Sequence, residues 1–244
     1  MREEPFAIKV KNEQIVGMVH YGKENFPIAI ICHGWAAHRF FPEFLLDAAR
    51  EMSKKGINVI RFDFRGTGES QGKWEDQTIT SMLEDLDAII NFAKGKFEND
   101  KICLVGHSQG AYVAFLKAAR DKRVKCLVSW MGRMWDIEDS IFIINEYKRK
   151  GYVYTRYAII SRKYIQDSLK YKLKEDIKNI KVPTLFIYGE KDDWTYPSSC
   201  FEIFNKLQAK KKLLILEDLD HHFNGKDSKK LLKETIKWII ENCK

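Results

Sequence analysis

Short apolar runs alternate with segments of helical periodicity along most of the chain. An almost continuous apolar run at 27–34 (PIAIICHG) ends in a glycine, and such runs suit strands buried on both faces of a parallel sheet. The segment Glu43–Lys54 then has apolar residues at helical spacing and stops at Gly56. The same order recurs further along, which predicts a mainly parallel central sheet flanked by helices on both faces.

The remaining predicted elements follow this alternation to the C-terminus. Before the first parallel strand, Phe6–Lys11 and Gln14–Tyr21 predict a hairpin. The further strands are predicted at Ile57–Phe64, Lys101–Gly106, Val124–Met131, Pro183–Gly189 and Lys212–Leu216, and the helices at Thr78–Lys94, Gln109–Arg120, Ser198–Leu207 and Ser228–Asn242.

Residues 132–179 interrupt the alternation. No strand is evident there, and the apolar residues are irregularly spaced and often aromatic. We expect a small helical cap (lid) inserted into an α/β core formed by residues 1–131 and 180–244. The aromatic residues of this segment are Trp135, Phe142, Tyr147, Tyr152, Tyr154, Tyr157, Tyr164 and Tyr171.

Composition narrows the class of protein. The 244 residues are 45% hydrophobic and 31% charged, the balance of a globular chain. No stretch approaches the roughly 18 apolar residues of a membrane span, and the N-terminus, with two early acids, does not resemble a signal peptide. The five cysteines are scattered without metal-binding spacing, which favours buried thiols and a cytoplasmic location.

The net charge of +8 is concentrated in one window. Between Lys148 and Lys174 there are nine Lys or Arg residues and a single acid, Asp167. A solvated basic face is the expected explanation, and nucleic acid is not an expected partner. A preference for anionic substrates, or contact with RNA or a membrane surface, is the alternative that the sequence leaves open.

The pentapeptide Gly106-His107-Ser108-Gln109-Gly110 matches the G-x-S-x-G pattern of a nucleophile elbow. It follows the apolar run KICLV and precedes the helix-compatible run QGAYVAFLKAA, the context that an elbow requires. The glycines permit a tight turn that exposes the serine, and the helix N-terminus favours the developing negative charge. The motif therefore predicts Ser108 as a nucleophile.

A serine nucleophile needs a histidine base and an acid that orients it. In the elbow's usual fold these follow the serine in the order acid, then histidine. That order leaves His221 and His222 as candidate bases. The acid is expected on the loop after the strand PTLFIYG, where Asp192 and Asp193 are equal candidates.

Two further loops follow early strands. The loop Cys32-His33-Gly34-Trp35 is placed to donate a backbone N–H to an oxyanion, so we expect an oxyanion hole formed by the N–H groups of Trp35 and Gln109. His33 is interpreted as a structural histidine. The segment 63–70 (DFRGTGES) is not a complete phosphate-binding motif and is interpreted as a structural turn.

With these motifs, the chain from about Phe26 onward resembles the α/β-hydrolase superfamily, and within it the cinnamoyl and feruloyl esterases and the monoacylglycerol lipases. The segments that support this are HGW at 33–35, DFRGTGES at 63–70, GHSQG at 106–110, GEKD at 189–192 and DHHF at 220–223. The resemblance implies an α/β-hydrolase fold, Asp192 as the acid and His221 as the base.

The implied function is hydrolysis of small acyl or aryl carboxylic esters through an acyl-enzyme, with no cofactor and no metal. The alternatives are a peptidase, a thioesterase or a C–C bond hydrolase with the same triad, and a non-catalytic scaffold. The expected partner is a small-molecule ester, and a homodimer is one assembly that the sequence allows.

Overall fold

The structure is a computed structural model that describes residues 2–155, 158–195 and 197–244. Tyr157, one of the aromatic residues of the expected cap, lies outside the described residues. The strands are β1 (Glu3–Val10), β2 (Glu13–His20), β3 (Ile28–Cys32), β4 (Asn58–Phe62), β5 (Ile102–His107), β6 (Val124–Trp130), β7 (Val153–Tyr154), β8 (Ile159–Ile160), β9 (Thr184–Gly189) and β10 (Lys211–Leu216).

The α-helices of the described residues lie between these strands or after the last one. They are α1 (Phe44–Lys54), α2 (Ile79–Phe97), α3 (Gln109–Ala118), α4 (Ile141–Lys150), α5 (Arg162–Ser168), α6 (Leu173–Asp176), α7 (Phe201–Lys206) and α8 (Ser228–Asn242).

Eight of these strands form one sheet in the order β1-β2-β4-β3-β5-β6-β9-β10. β1 pairs with β2, and β2 with β4, in antiparallel fashion, whereas all later neighbours are parallel. Every residue of β3, β4 and β5 is buried, as expected for strands covered by helices on both faces. This is the α/β-hydrolase fold, so the predicted fold class is confirmed.

The helices that pack on the two faces of the sheet do so because they bury an apolar side. In α1 the buried side includes Leu45, Ala48 and Met52, spaced three and four residues apart. Thr78, the predicted first residue of α2, instead caps it: its side chain accepts the N–H of Ser81. The other predicted elements differ from the observed ones mainly by a few residues at their ends.

One prediction about residues 132–179 is wrong. The segment does contain strands, because β7 and β8 form a short antiparallel pair with Val153 opposite Ile160. Two-residue strands are too short to produce an alternating pattern, so no hydrophobic periodicity indicated them. The segment also contains α4, α5 and α6.

The helix predicted at Ser198–Leu207 is shorter than expected. A 3₁₀ turn at Pro197–Cys200 comes first, and α7 begins only at Phe201. Such turns are common at helix N-termini. Across the described ranges, every helix is too short or too polar to pass through a bilayer.

Residues 132–179, which lie between β6 and β9 and are called the insert below, are held to the rest of the fold by polar contacts. The carboxylate of Asp167 accepts hydrogen bonds from the Thr80 backbone N–H and hydroxyl, both at 2.8 Å. Asp136 accepts the Tyr112 hydroxyl at 2.8 Å and, within the segment itself, the Leu173 N–H at 2.8 Å. The contacts with Thr80 and Tyr112 fix the insert to α2 and α3.

Candidate active site

Ser108 lies in the turn between β5 and α3, with φ 52° and ψ −117°. A non-glycine residue rarely adopts this conformation, which is typical of functional sites where the surrounding structure imposes it. The flanking glycines make the turn feasible. A Cβ atom on Gly110 would lie 2.2 Å from the Cys32 carbonyl oxygen, and one on Gly106 would lie 2.3 Å from the Ala111 Cα.

The N-terminus of α3 lies directly behind Ser108. Because α3 begins at Gln109, its first backbone N–H groups have no partner within the helix and carry partial positive charge. This is the structural condition for stabilising an anion formed at the Ser108 side chain.

His221 and Asp192 form a buried pair. His221 Nδ1 lies 2.9 Å from Asp192 Oδ2, and both side chains are almost fully shielded from water. With Nδ1 donating to the carboxylate, Nε2 is the nitrogen free to accept a proton. Asp193, the other candidate acid, is exposed, and His222 is only half-buried.

The loop after β9 holds the Asp192 carboxylate in place. Oδ1 accepts the N–H groups of Trp194 and Thr195 at 2.8 and 2.9 Å, and the Thr195 hydroxyl donates to Oδ2 at 2.6 Å. Burial raises the pKa of Asp192, but the hydrogen bonds from His221 and Thr195 and the charge of His221 outweigh it and leave the pKa below its ordinary value. The carboxylate is therefore ionised at neutral pH.

His107 supports the His221 loop, a role that sequence reasoning missed. Its Nε2 donates to the His221 backbone carbonyl at 2.9 Å, and the two rings lie 4.8 Å apart. Burial, together with the nearby His221, keeps the pKa of His107 well below its ordinary value, so the ring is neutral. Trp194 stacks on the other side of His221 with ring centroids 5.4 Å apart.

The loop after β3 approaches the serine closely. A Cβ atom on Gly34 would lie only 3.2 Å from the Ser108 Cβ. Trp35, the next residue of this loop, is anchored by its ring. The ring packs edge-on against those of Trp74 and Tyr164, with centroids 4.5 and 4.7 Å away.

His33, on the same loop, has a structural role. Its Nε2 accepts the Phe64 N–H at 3.1 Å, and Nδ1 donates to the Gly34 carbonyl at 2.9 Å. Burial lowers the pKa of His33 to about 4. Both nitrogens are therefore engaged, and the ring is neutral at pH 7.

The segment 63–70 is a structural turn, as predicted. Asp63 accepts the backbone N–H groups of Arg39 and Glu69 and pairs with the Arg39 guanidinium. The Ser70 hydroxyl donates to the Asp63 carbonyl at 2.7 Å and accepts the Val16 N–H at 3.0 Å. These polar groups bind one another rather than a phosphate.

A cavity of about 380 Å³ opens over Ser108 and His221. Apolar and aromatic side chains dominate its walls, and the insert contributes Trp135, Ile143 and Tyr164. Arg133 also lines it, whereas no Asp or Glu among the described residues does. Within the described ranges, no cluster of His, Cys, Asp and Glu could hold a metal ion.

Comparison with known proteins identifies the family and supports the fold. The profile of the Hydrolase_4 family, described as "Serine aminopeptidase, S33", matches residues 24–150, just over half of the chain. The chain belongs to this family. A structure of Est1E from Butyrivibrio proteoclasticus with bound ferulic acid superposes with a TM-score of 0.82, at 17% identity, covering 96% of this chain and 99% of that one.

Two curated proteins are similar over part of their length. An uncharacterized 31.7 kDa protein of Escherichia coli is 37% identical over 112 residues, 44% of this chain and 38% of that protein. Esterase EstD of Thermotoga maritima is 23% identical over 266 residues, 90% of this chain and 63% of EstD. The matched stretches thus span less than two thirds of either relative.

Many of the basic residues between Lys148 and Lys174 form ion pairs with acidic side chains of the same chain. Lys150 pairs with Glu146, Lys163 with Asp76, and Lys174 with Asp139 and Glu202. Arg156, in the same window, lies outside the described residues. The pairs support a solvated, internally compensated face.

Proposed function

We propose that the protein is a serine hydrolase of carboxylic esters, with Ser108 as nucleophile, His221 as general base and Asp192 as the acid that orients the base. The observation that carries the proposal is the buried Asp192–His221 hydrogen bond beside an elbow serine that lines the same cavity. The strained backbone of Ser108, the burial of Asp192 and His221, and the ionised carboxylate of Asp192 all support these roles.

The reaction follows from these positions. Ser108 Oγ attacks the ester carbonyl, and His221 Nε2 takes its proton. Asp192 accepts from Nδ1 and stabilises the imidazolium. The backbone N–H groups of Trp35 and Gln109 bind the oxyanion of the tetrahedral intermediate. His221 then protonates the leaving alcohol, and water activated by the same histidine hydrolyses the acyl-enzyme.

The charges of the cavity favour an ester over an aminopeptidase substrate. An aminopeptidase holds a free α-ammonium group, which needs an anionic partner when it leaves water. The described lining residues supply no carboxylate, and Arg133 would repel the ammonium. The relative EstD, an esterase by name, supports the same choice.

We further propose that residues 132–179 act as a cap over the core formed by 1–131 and 180–244. Trp135, Ile143 and Tyr164 of this segment line the cavity above the serine. Their apolar surface suits a small acyl or aryl group, because burial of such groups is favourable by about 25 cal/mol per Å².

A substrate panel tests the proposal. We expect hydrolysis of p-nitrophenyl acetate, butyrate and octanoate, and much slower turnover of the p-nitroanilides of alanine and proline. Butyrylthiocholine measures the thioester alternative. Preferential cleavage of the anilides or of the thioester would overturn the ester assignment.

A further inference from the structure

Arg133 is a buried cation in the wall of the catalytic cavity. It follows β6 and the turn at Met131 and Gly132, and its backbone N–H donates to the Ser108 carbonyl at 3.0 Å. This hydrogen bond fixes Arg133 beside the nucleophile. The residue is 7% exposed and lines the same cavity as Ser108.

The guanidinium lies between aromatic rings rather than beside an acid. Its Cζ is 3.9 Å from the Tyr112 ring centroid and 4.6 Å from that of Trp135. Nε and Nη2 are buried and have no hydrogen-bond partner among the described residues. In the part of the chain that the structure describes, no carboxylate oxygen lies within 4 Å of any Arg133 nitrogen.

The acid nearest along the chain is already engaged elsewhere. Asp136 Oδ1 accepts both the Tyr112 hydroxyl and the Leu173 N–H, and Oδ2 faces the Lys174 N–H at 3.4 Å. The other buried arginines have partners for their guanidinium groups. Arg39 pairs with Asp63 and Glu69, and Arg65 with Asp85 and Glu84. Arg61 pairs with no acid among the described residues, but it donates to the Arg39 carbonyl and to His20 Nε2.

A buried cation without a counter-ion is costly, and aromatic faces compensate for only part of that cost. Donors left unpaired in a binding cavity are satisfied when a ligand supplies the acceptors. A guanidinium presents its donors in a planar fork that matches the two oxygens of a carboxylate. The missing partner of Arg133 is therefore best supplied from within the cavity.

We propose that Arg133 binds a carboxylate carried by the ester substrate. The substrate class is then an ester whose acyl or alcohol part bears a negatively charged carboxylate, such as the half-ester of a dicarboxylic acid. This inference rests on the proposed ester hydrolysis at Ser108 and adds a specificity-determining residue to it.

Paired esters test this inference. Mono-p-nitrophenyl adipate carries the carboxylate on the acyl side, and p-nitrophenyl hexanoate is its neutral counterpart. Para-acetoxybenzoate carries it on the alcohol side, and methyl para-acetoxybenzoate is neutral. In at least one pair we expect kcat/KM to favour the anionic ester about tenfold to a hundredfold, the range of a charge-assisted hydrogen bond.

Substitutions identify the group responsible for the preference. Arg133→Met removes the charge, and we expect the ratio of anionic to neutral kcat/KM to fall at least tenfold. Arg133→Lys keeps the charge without the fork, so its ratio is expected to be intermediate. The matched control is Arg149→Met, which removes an exposed arginine paired with Glu146 and is expected to leave the ratio unchanged.

Two results would overturn the inference: no preference for the anionic ester in either pair, or a preference that persists in Arg133→Met. Because the ratio is compared within each variant, a general loss of activity does not imitate the effect. Circular dichroism confirms that each variant is folded.

Failure of the proposed hydrolase function is distinguishable from failure of this inference. If the wild type hydrolyses no ester and a fluorophosphonate does not label Ser108, the hydrolase proposal fails. The arginine site is then tested by calorimetric titration with adipate. If adipate binds to the wild type and not to Arg133→Met, the carboxylate site is supported. If adipate does not bind to the wild type, the site is rejected.

Discussion

Asp192 accepts a hydrogen bond from His221 Nδ1 at 2.9 Å while two backbone N–H groups hold its other oxygen. The Thr195 hydroxyl also donates to Asp192 Oδ2, so the carboxylate cannot rotate without breaking four hydrogen bonds. Asp193, one residue further along, points its side chain into solvent. Burial and hydrogen bonding therefore distinguish Asp192 from Asp193, whereas residue type and loop position do not.

We expect Asp192→Asn to lower kcat by roughly 10³- to 10⁴-fold, because an amide neither fixes the tautomer of His221 nor stabilises the imidazolium. Steady-state hydrolysis of p-nitrophenyl butyrate measures the effect. The matched control, Asp193→Asn, is expected to change kcat by less than about twofold, since its side chain is exposed. Comparable losses in both variants would refute the assignment of Asp192.

His107 donates a hydrogen bond to the His221 carbonyl, and we expect this contact to position His221 as the proposed base. We expect His107→Leu to lower kcat about threefold to tenfold, the effect of one lost hydrogen bond, with a smaller change in KM. His107→Gln restores an N–H donor and is expected to recover part of kcat. If the glutamine variant is as impaired as the leucine variant, the hydrogen bond is not the cause.

The strained backbone at Ser108 predicts an unusual order of stabilities. Ser108→Gly is expected to be more stable than Ser108→Ala by about 1 kcal/mol, because glycine adopts φ 52° without steric cost. Ser53, within α1, is the control: there glycine is expected to be less stable than alanine by about 1 kcal/mol. Urea unfolding of the four variants measures both differences, and the same order at both sites would contradict the prediction.

The nucleophile elbow was predictable because its signal is local. Gly106, Ser108 and Gly110 must be adjacent in sequence to form the turn, and the flanking strand and helix have their own patterns. The hydrogen bond of His107 joins residues 114 positions apart, so no local pattern reports it. The residues alone left His221 and His222 open as candidate bases, and only the resemblance pointed to His221. Their different burial likewise depends on contacts that no local pattern reports.

Charge was the least informative sequence feature. The basic window from Lys148 to Lys174 drew attention to anionic ligands, yet several of its residues pair with nearby acids. Among the described residues that line the cavity over Ser108, the Lys or Arg side chain is that of Arg133, which precedes this window. The rings of Tyr112 and Trp135 cover its guanidinium. Tyr112 lies on α3, whereas Arg133 and Trp135 follow β6.

Buried neutral histidines predict loss of stability in acid. Burial, aided by the charge of Arg61, lowers the pKa of His20 to about 4, against about 6.5 in the unfolded chain. The unfolded state therefore binds more protons between these values. The free energy of unfolding is expected to fall as the pH drops from about 6.5 to 4, by at most about 1.4 kcal/mol per pH unit for this residue.

His20→Gln isolates this contribution from those of other groups. Denaturant unfolding of the wild type and the variant, measured from pH 7 to pH 4, is expected to show a shallower dependence in the variant. Parallel curves would mean that His20 is protonated equally in the folded and unfolded states.

The identity of the activated nucleophile is the central claim, and fluorophosphonate labelling followed by peptide mass spectrometry tests it most directly. We predict a single covalent adduct on the peptide containing Ser108, absent in Ser108→Ala, with p-nitrophenyl butyrate hydrolysis lost in the same variant. An adduct on another residue, or undiminished hydrolysis by Ser108→Ala, would contradict the account.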